Sequence, residues 1–392
     1  MSPLDYVDFI RLIHDSGRRA VIAATGGGSR GVADLLAVGG ASRTIVEAVV
    51  PYAPEALEAW LGGRPEQFCS SITARRMASA ALRRCAALQP AEASSRADRH
   101  PAPLVGLGLT ASLASDRPKL GPHRIHLAAQ TASATRSWDL ELRKGARSRE
   151  EEEAVAARLL VELLGAACEL DGAPRLPLVD DEAVVRRRTE ALPSWIELQT
   201  GRIDKTSERR GYVPRPEAPR GVFPGSFRPL HDGHRRMMQL AAERLGGPID
   251  VEISIENVEK PALDFEDMRT RGDQFGDDVR VWYTRAPRMV QKARLFPGCT
   301  IVCGIDTLAR VADVRFAGGD PTERDRVIEE IAALGCRFLV FGRQTASGFE
   351  TAADLDLPPT LRALCDAVSE AEFRADVSST ALRKQTVGDT DA

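Results

Sequence analysis

Twice along this chain an apolar, β-type run ends in glycine and gives way at once to a helical pattern. The first is RRAVIAATGGG at 18–28, followed by SRGVADLLAVGG. The second is RGVFPGSF at 220–227, followed past a proline by HRRMMQLAAERLG. A strand that feeds a helix through a tight turn returns by a crossover, and strands joined that way pair in parallel. The feature therefore confines the chain to α/β architecture, and its recurrence 200 residues on predicts two such domains. A chain of 392 residues is also too long for one ordinary core.

The rest of the pattern agrees. In the first part TIVEAVVPY, PLVGLGLTA and HRIHLAAQT read as strands, and SITARRMASAALRRCAAL as an amphipathic helix. EEEEAVAARLLVELLGAACEL is a long helix with its acids at the favourable amino end. These place a first α/β domain over residues 1–178. Residues 179–218 are charged and proline-bearing with weak periodicity, and predict an interdomain linker. The runs Glu150–Glu153 and Arg186–Arg188 read as solvated faces. Over 219–392 PIDVEISI, VRVWYTRA, TIVCGI and CRFLVFGRQ read as strands and RDRVIEEIAALG as a helix. LPPTLRALCDAVS is expected to be helical, and SSTALRKQ to open a last helix.

Composition narrows the function classes. A net charge of −3 lacks the basic excess of a general nucleic-acid or membrane-surface binder, so neither partner is expected. No apolar run reaches the roughly 18 residues of a membrane span. The opening MSPLDYVDFI lacks a basic-then-apolar signal pattern, and a cytoplasmic protein is expected. Seven scattered cysteines suit reduced thiols. Cys299 and Cys303 flank a strand-like TIV with no Cys/His pair nearby, and no metal-ligating residues are assigned.

The stretch most informative about chemistry runs from Val222 to His234, VFPGSFRPLHDGH. A strand ends at Gly225, a loop with Pro229 follows, and His231 and His234 bracket Gly233 at a helix start. Such a joint offers backbone N–H groups, the positive end of a helix dipole and two imidazoles to phosphate. Three positions apart, the two rings share a helix face. They are the only histidines after His126.

The stretch resembles the G-S-F-x-P-x-H-x-G-H signature of the nucleotidylyltransferase superfamily. That superfamily includes nicotinate and nicotinamide mononucleotide adenylyltransferases, pantetheine-phosphate adenylyltransferases and cytidylyltransferases. Its second signature, I-S-S-T-x-x-R, is similar to Val377-Ser378-Ser379-Thr380-Ala381-Leu382-Arg383. The resemblance implies a Rossmann-like parallel sheet over the whole second domain. It implies that His231, His234 and Arg383 act on the transferring phosphate. Gly225, Ser226, Phe227, Gly304, Asp306, Ser378, Ser379 and Thr380 would then hold the nucleotide. FPGCTIVCGIDT at 296–307 resembles the family's strand ending in G-x-D, FLVFGR at 338–343 its following strand, and Ser254–Asn257 with Lys260 its substrate-side loop. Asn257, Lys260 and Trp282 are accordingly expected on the acceptor, although Trp282 is equally placed to be core. Mg²⁺ is implied with the triphosphate. Arg228 stands where the family commonly has Asp or Asn.

The first domain resembles the C-terminal domain of the CinA family, which includes nicotinamide mononucleotide deamidases. The resemblance rests on AATGGGS at 23–29, Gly40-Ala41-Ser42, Val50-Pro51-Tyr52, Met77-Ala78, Leu109-Thr110-Ala111, Pro118-Lys119-Leu120-Gly121 and Gly145-x-Arg147. Thr25 stands at the family's serine, Ala24 at its preceding glutamate and Leu57 at its lysine, while Tyr52 is retained. Leucine cannot take a proton from a hydroxyl nucleophile. This domain is therefore expected to lack deamidase activity, with ligand or subunit binding left open.

The expectation is a nucleotidylyltransferase joining ATP to a phosphorylated small molecule, with a pyridine mononucleotide of NAD biosynthesis leading. A cytidylyl- or adenylyltransferase for another acceptor, and a non-catalytic nucleotide-binding regulator, are the alternatives. Assembly into homo-oligomers is left open.

Overall fold

The computed structural model describes residues 4–89, 103–116, 120–212, 218–256, 262–345 and 348–374. The chain divides into two compact α/β units. Met1–Ala191 with Glu259–Glu266 form the first, and Leu192–Val258 with Asp267–Ala392 form the second.

The first unit opens with α1 (Tyr6–Asp15), β1 (Arg19–Thr25), α2 (Ser29–Ala37), α3 (Ala41–Thr44), β2 (Ile45–Val49) and α4 (Pro54–Leu61). It continues with α5 (Ser71–Ala87), β3 (Leu104–Ser112), β4 (His123–Gln130), β5 (Ala134–Leu142), α6 (Arg149–Ala167) and β6 (Val185–Glu190). The sheet order is β2-β1-β3-β4-β5-β6. β2, β1 and β3 pair in parallel, and β3 through β6 antiparallel. Its main core joins Ile22, Ala24, Leu107 and Leu109 of the strands to Phe9 and Ile13 of α1 and to Val155, Leu159 and Leu163 of α6. The Ser148 and Glu151 side chains close a reciprocal cap on α6, so its acid-rich start needs no other stop signal.

In the second unit α7 (Pro193–Thr200), β7 (Lys205–Thr206), β8 (Gly221–Pro224), α8 (Asp232–Leu245) and β9 (Ile249–Ser254) come first. α9 (Phe265–Gly272), which belongs to this unit from Asp267 on, β10 (Val281–Thr284), α10 (Met289–Leu295), β11 (Thr300–Gly304) and α11 (Ile305–Ala312) follow. α12 (Pro321–Ala333), β12 (Arg337–Phe341), a small hairpin of β13 (Arg343–Thr345) and β14 (Gly348–Glu350), α13 (Pro359–Ala363) and β15 (Cys365–Val368) complete it. The main sheet runs β15-β12-β11-β8-β9-β10-β7. Every pair in it is parallel except β10 with β7. From β8 the chain builds outward through β9 and β10, then crosses back to place β11 on the other side of β8. The strand order thus reverses between β8 and β11, where open parallel sheets hold their ligands beyond the carboxyl ends.

Two expectations are corrected. Residues 179–218, expected to be a linker, carry β6 on the first sheet and α7 and β7 in the second unit. β6 is an edge strand whose VRRRTE is exposed at all but one position, so it carries no apolar alternation for a pattern to reveal. Arg186 pairs with Glu162 at 2.8 Å, Arg188 with Glu169 at 3.4 Å, and Arg187 with Asp139. In α7 Trp195 is buried and packs edge-on against Tyr283, with ring centroids 5.4 Å apart. LPPTLRALCDAVS, expected to be one helix, is helical only over Pro359–Ala363. Cys365–Val368 then pairs in parallel with Phe338–Phe341. The sheet edge offered by β12 overrides a weak local helical pattern. SSTALRKQ lies outside the described residues. No helix among the described residues is long and apolar enough to cross a membrane.

Candidate functional site

The loop from β8 to α8 opens at the reversal of strand order. Gly225 donates its N–H to the Glu252 carbonyl of β9 at 2.9 Å, and Phe227 folds its ring back over it. A Cβ at Gly225 would come within 2.5–2.7 Å of that ring, so no side chain fits there. Phe227, at φ +42°, is fully buried between Phe223 and Phe275, with edge-on ring contacts at 5.3 and 5.1 Å. The Arg228–Pro229 peptide that follows is cis. β8 and β11 pair only at Gly221–Thr300 and Val222–Ile301, so their carboxyl ends part from each other while each stays paired to its other neighbour, β9 or β12.

His231 is the N-cap of α8 and His234 stands in its first turn. Each ring caps the other residue's backbone: the His234 N–H donates to His231 Nδ1 at 3.4 Å, and the His231 N–H to His234 Nδ1 at 3.3 Å. The rings stack with centroids 3.6 Å apart and planes 23° from parallel. His234 also meets Phe227 and Phe223 edge-on at 5.2 and 5.9 Å. Burial among these rings, and secondarily the neighbouring His231, pushes His234 down to about 4. Burial also lowers His231, opposed by the Asp232 carboxylate. A neutral imidazole that accepts at Nδ1 carries its proton on Nε2. Each ring is therefore a neutral donor at Nε2, set on a helix N-terminus that itself favours anions.

Two side chains that the spacing gave no hint of hold this loop. Gln274, just past α9, accepts from the Leu230 N–H and donates to the Phe227 carbonyl, each at 2.8 Å. Arg271 of α9 donates to the Ser226 carbonyl at 3.2 Å while paired with Asp267 at 3.1 Å. Under the loop, Lys292 of α10 makes a two-pronged pair with the fully buried Glu252 at 2.7 and 2.9 Å, and Thr284 donates to the same carboxylate. Gln274, Arg271 and Lys292 lie too far along the chain from the loop for a local pattern to reveal them.

The other expected residues divide. Ser226 is exposed on the loop. Gly304 caps α11 beyond β11, and a Cβ there would meet only the Phe341 carbonyl, at 3.9 Å. Asp306 is exposed in the first turn of α11 and pairs with Arg343 beyond β12. Gly304 and Asp306 thus follow the strand next to β8, beyond the same sheet edge as His231 and His234. Trp282 is not brought to the histidines. Its indole N–H donates to Asp250 at 2.8 Å, and its ring meets Phe296, Lys205 and Arg280 in a small core with Val222 and Cys299. Asn257, Lys260, Ser378, Ser379, Thr380 and Arg383 lie outside the described residues. Among the described residues no three His, Cys, Asp or Glu side chains cluster to hold a metal ion, and all seven cysteines are free thiols.

The glycine turn of the first unit is closed by the chain itself. Gly26 has φ +73°, and a Cβ there would lie 1.9 Å from the Ala111 carbonyl oxygen. Glu153 of α6 accepts from the N–H groups of Gly28 at 2.9 Å and Arg30 at 3.1 Å. Arg149 pairs with Glu153 at 3.2 Å and donates to the Gly26 carbonyl. The donors an anion would use at the start of α2 are filled by this carboxylate. Thr25 is buried at the end of β1, Leu57 is 2% exposed in a cluster with Ala23, Leu61 and Met77, and Tyr52 is exposed. Arg147 pairs with Glu182 at 2.6 Å and donates to the Pro177 carbonyl. Pro118 and Lys119 lie outside the described residues.

No protein-family model matches the chain, and no curated protein matches it. Two solved structures align with part of it. One is the competence/damage inducible protein CihA from Agrobacterium tumefaciens, 21% identical over 43% of this chain and 98% of its own, with a TM-score of 0.31. The other is a competence-damaged protein (CinA) superfamily protein from Escherichia coli, 17% identical over 42% of this chain and 91% of its own, with a TM-score of 0.29.

Proposed function

We propose that the second unit is a nucleotidylyltransferase. A phosphate oxygen of the acceptor attacks the α-phosphorus of a nucleoside triphosphate and forms the new P–O bond. The bond from that phosphorus to the bridging oxygen breaks, and pyrophosphate leaves with the electron pair. The observation that carries this reading is the stacked, mutually capped pair His231 and His234 at the start of α8, beyond β8 at the reversal of strand order. Two neutral Nε2–H donors on a helix N-terminus match the charge that gathers on phosphoryl oxygens in such a transfer. Positioning and charge stabilisation suffice, and no covalent enzyme intermediate is required.

The motif resemblance adds Ser379, Thr380 and Arg383 for the departing pyrophosphate and Asn257 and Lys260 for the acceptor. Mg²⁺, implied by the motif resemblance, would come bound to the triphosphate and supply charge neutralisation there. ATP and a pyridine mononucleotide are the favoured pair, because the sequence motifs of both halves resemble families of NAD metabolism. In the first unit Leu57 lies in a core cluster and Glu153 fills the glycine turn, which supports a domain without amide hydrolysis.

The test is pyrophosphate release from ATP or CTP with a panel of acceptors: pyridine mononucleotides, pantetheine phosphate, and sugar and alcohol phosphates. Turnover is expected with ATP and a pyridine mononucleotide. Replacing both histidines by alanine should lower it by about 10²–10³-fold, as loss of preorganised donors does elsewhere. No turnover with any acceptor, with ATP binding unchanged in the double variant, would sink the proposal.

A further inference from the structure

Gln274 bonds the histidine loop as a second peptide unit would. Its carbonyl takes the Leu230 N–H and its amide gives to the Phe227 carbonyl, so one planar group spans four residues of the loop. The loop lies between a strand and a helix, so neither ladder reaches these two backbone groups. Arg271 fixes the carbonyl of the residue before, Ser226, and Phe275 packs its ring on Phe227. From α8, Arg235 donates to the Gln274 backbone carbonyl at 3.4 Å, which closes the arrangement on the helix that carries the histidines.

Peptide geometry gives this arrangement a consequence for the site. In a trans peptide the C=O and N–H point opposite ways. Holding the Ser226 and Phe227 carbonyls toward Arg271 and Gln274 turns the N–H groups of Phe227 and Arg228 away from α9. The same bonds place Phe227, whose ring sits against His234, and Leu230, the residue before the N-cap His231.

We propose that Gln274 is a positioning residue for the His231–His234 pair, acting through the backbone of Phe227 and Leu230. The inference rests on the reading of the second unit as a nucleotidylyltransferase. Its chemistry requires both an acceptor and a donor at one position. A glutamine supplies them, while a glutamate of the same shape loses the donor to Phe227 and a methionine loses both.

The full-length protein with Q274E or Q274M tests this, each read in two ways. Kinetically, kcat for pyrophosphate release should fall about tenfold or more while KM for ATP moves much less, the signature of lost transition-state alignment. Spectroscopically, ¹⁵N-detected ring signals of His231 and His234 should lose the wild-type pattern of a bare Nδ1 and a protonated Nε2. Variants that keep wild-type kcat and wild-type ring signals would overturn the proposal. Altered ring signals with no turnover by the wild type on any acceptor would uphold the positioning role and reject the transferase reading. If thermal unfolding shows either variant globally destabilised, kcat and ring signals that follow the folded fraction alone would likewise overturn it.

Discussion

At the scale of single residues, His234 makes the sharpest claim. Its midpoint, pushed down to about 4 from the ordinary 6.5, follows first from burial beside Phe223 and Phe227 and then from the ring of His231. Between those two values the unfolded chain binds a proton that the folded chain refuses. Stability from this group is therefore complete above about pH 6.5 and is lost as the pH falls toward 4. A proton NMR titration of the ring should show a midpoint well under that of the buffer-exposed His of a peptide; a midpoint at or above 6.5 would contradict the packing. The histidine pair was legible in the sequence because capping and stacking depend on a spacing of three. Gln274 was not, since a side chain 44 positions from Leu230 leaves no periodic trace. Trp282 marks the opposite limit: an aromatic suited to stacking on a ring is spent on Asp250 and Phe296.

Among elements, those with a strong period were readable and those at sheet edges were not. β1, β3, β8 and β11 are buried on both faces and appear as apolar runs, whereas β6 is exposed and β15 buries only Val368. At the turn between β1 and α2 ligand binding stayed open, because glycine spacing cannot say what fills it. Glu153 fills it here, so Glu153→Ala would remove the acceptor of the Gly28 and Arg30 N–H groups and leave Arg149 only the Gly26 carbonyl. A loss of about 1–3 kcal/mol is expected in urea unfolding, as for other orphaned donors. A smaller loss is expected for Glu153→Gln, which keeps an acceptor. Behind β9, Lys292→Met would leave the Glu252 carboxylate buried with only Thr284 for a partner, costing about 3–5 kcal/mol. Adding Glu252→Gln should recover much of that loss in the same measurement, since the uncompensated charge is then gone.

Over the whole molecule, two α/β units were readable from the recurrence of one strand–glycine–helix joint. Their boundaries were not, because the charged stretch between them contributes an edge strand to one sheet and a helix and strand to the other unit. The two joints look alike in sequence and differ in what meets the helix start. In the first unit a carboxylate of the chain occupies it; in the second it carries two neutral imidazoles where β8 and β11 part from each other. We propose that the second arrangement transfers a nucleotidyl group. Phosphorus NMR of ATP, Mg²⁺, a pyridine mononucleotide and the protein tests it most directly. Pyrophosphate is expected in step with a new diphosphate that joins the α-phosphate of ATP to the acceptor's own phosphate, both slowed by about 10²–10³-fold in His231→Ala/His234→Ala. Hydrolysis of ATP without the new diphosphate, or its formation undiminished in that variant, would contradict it.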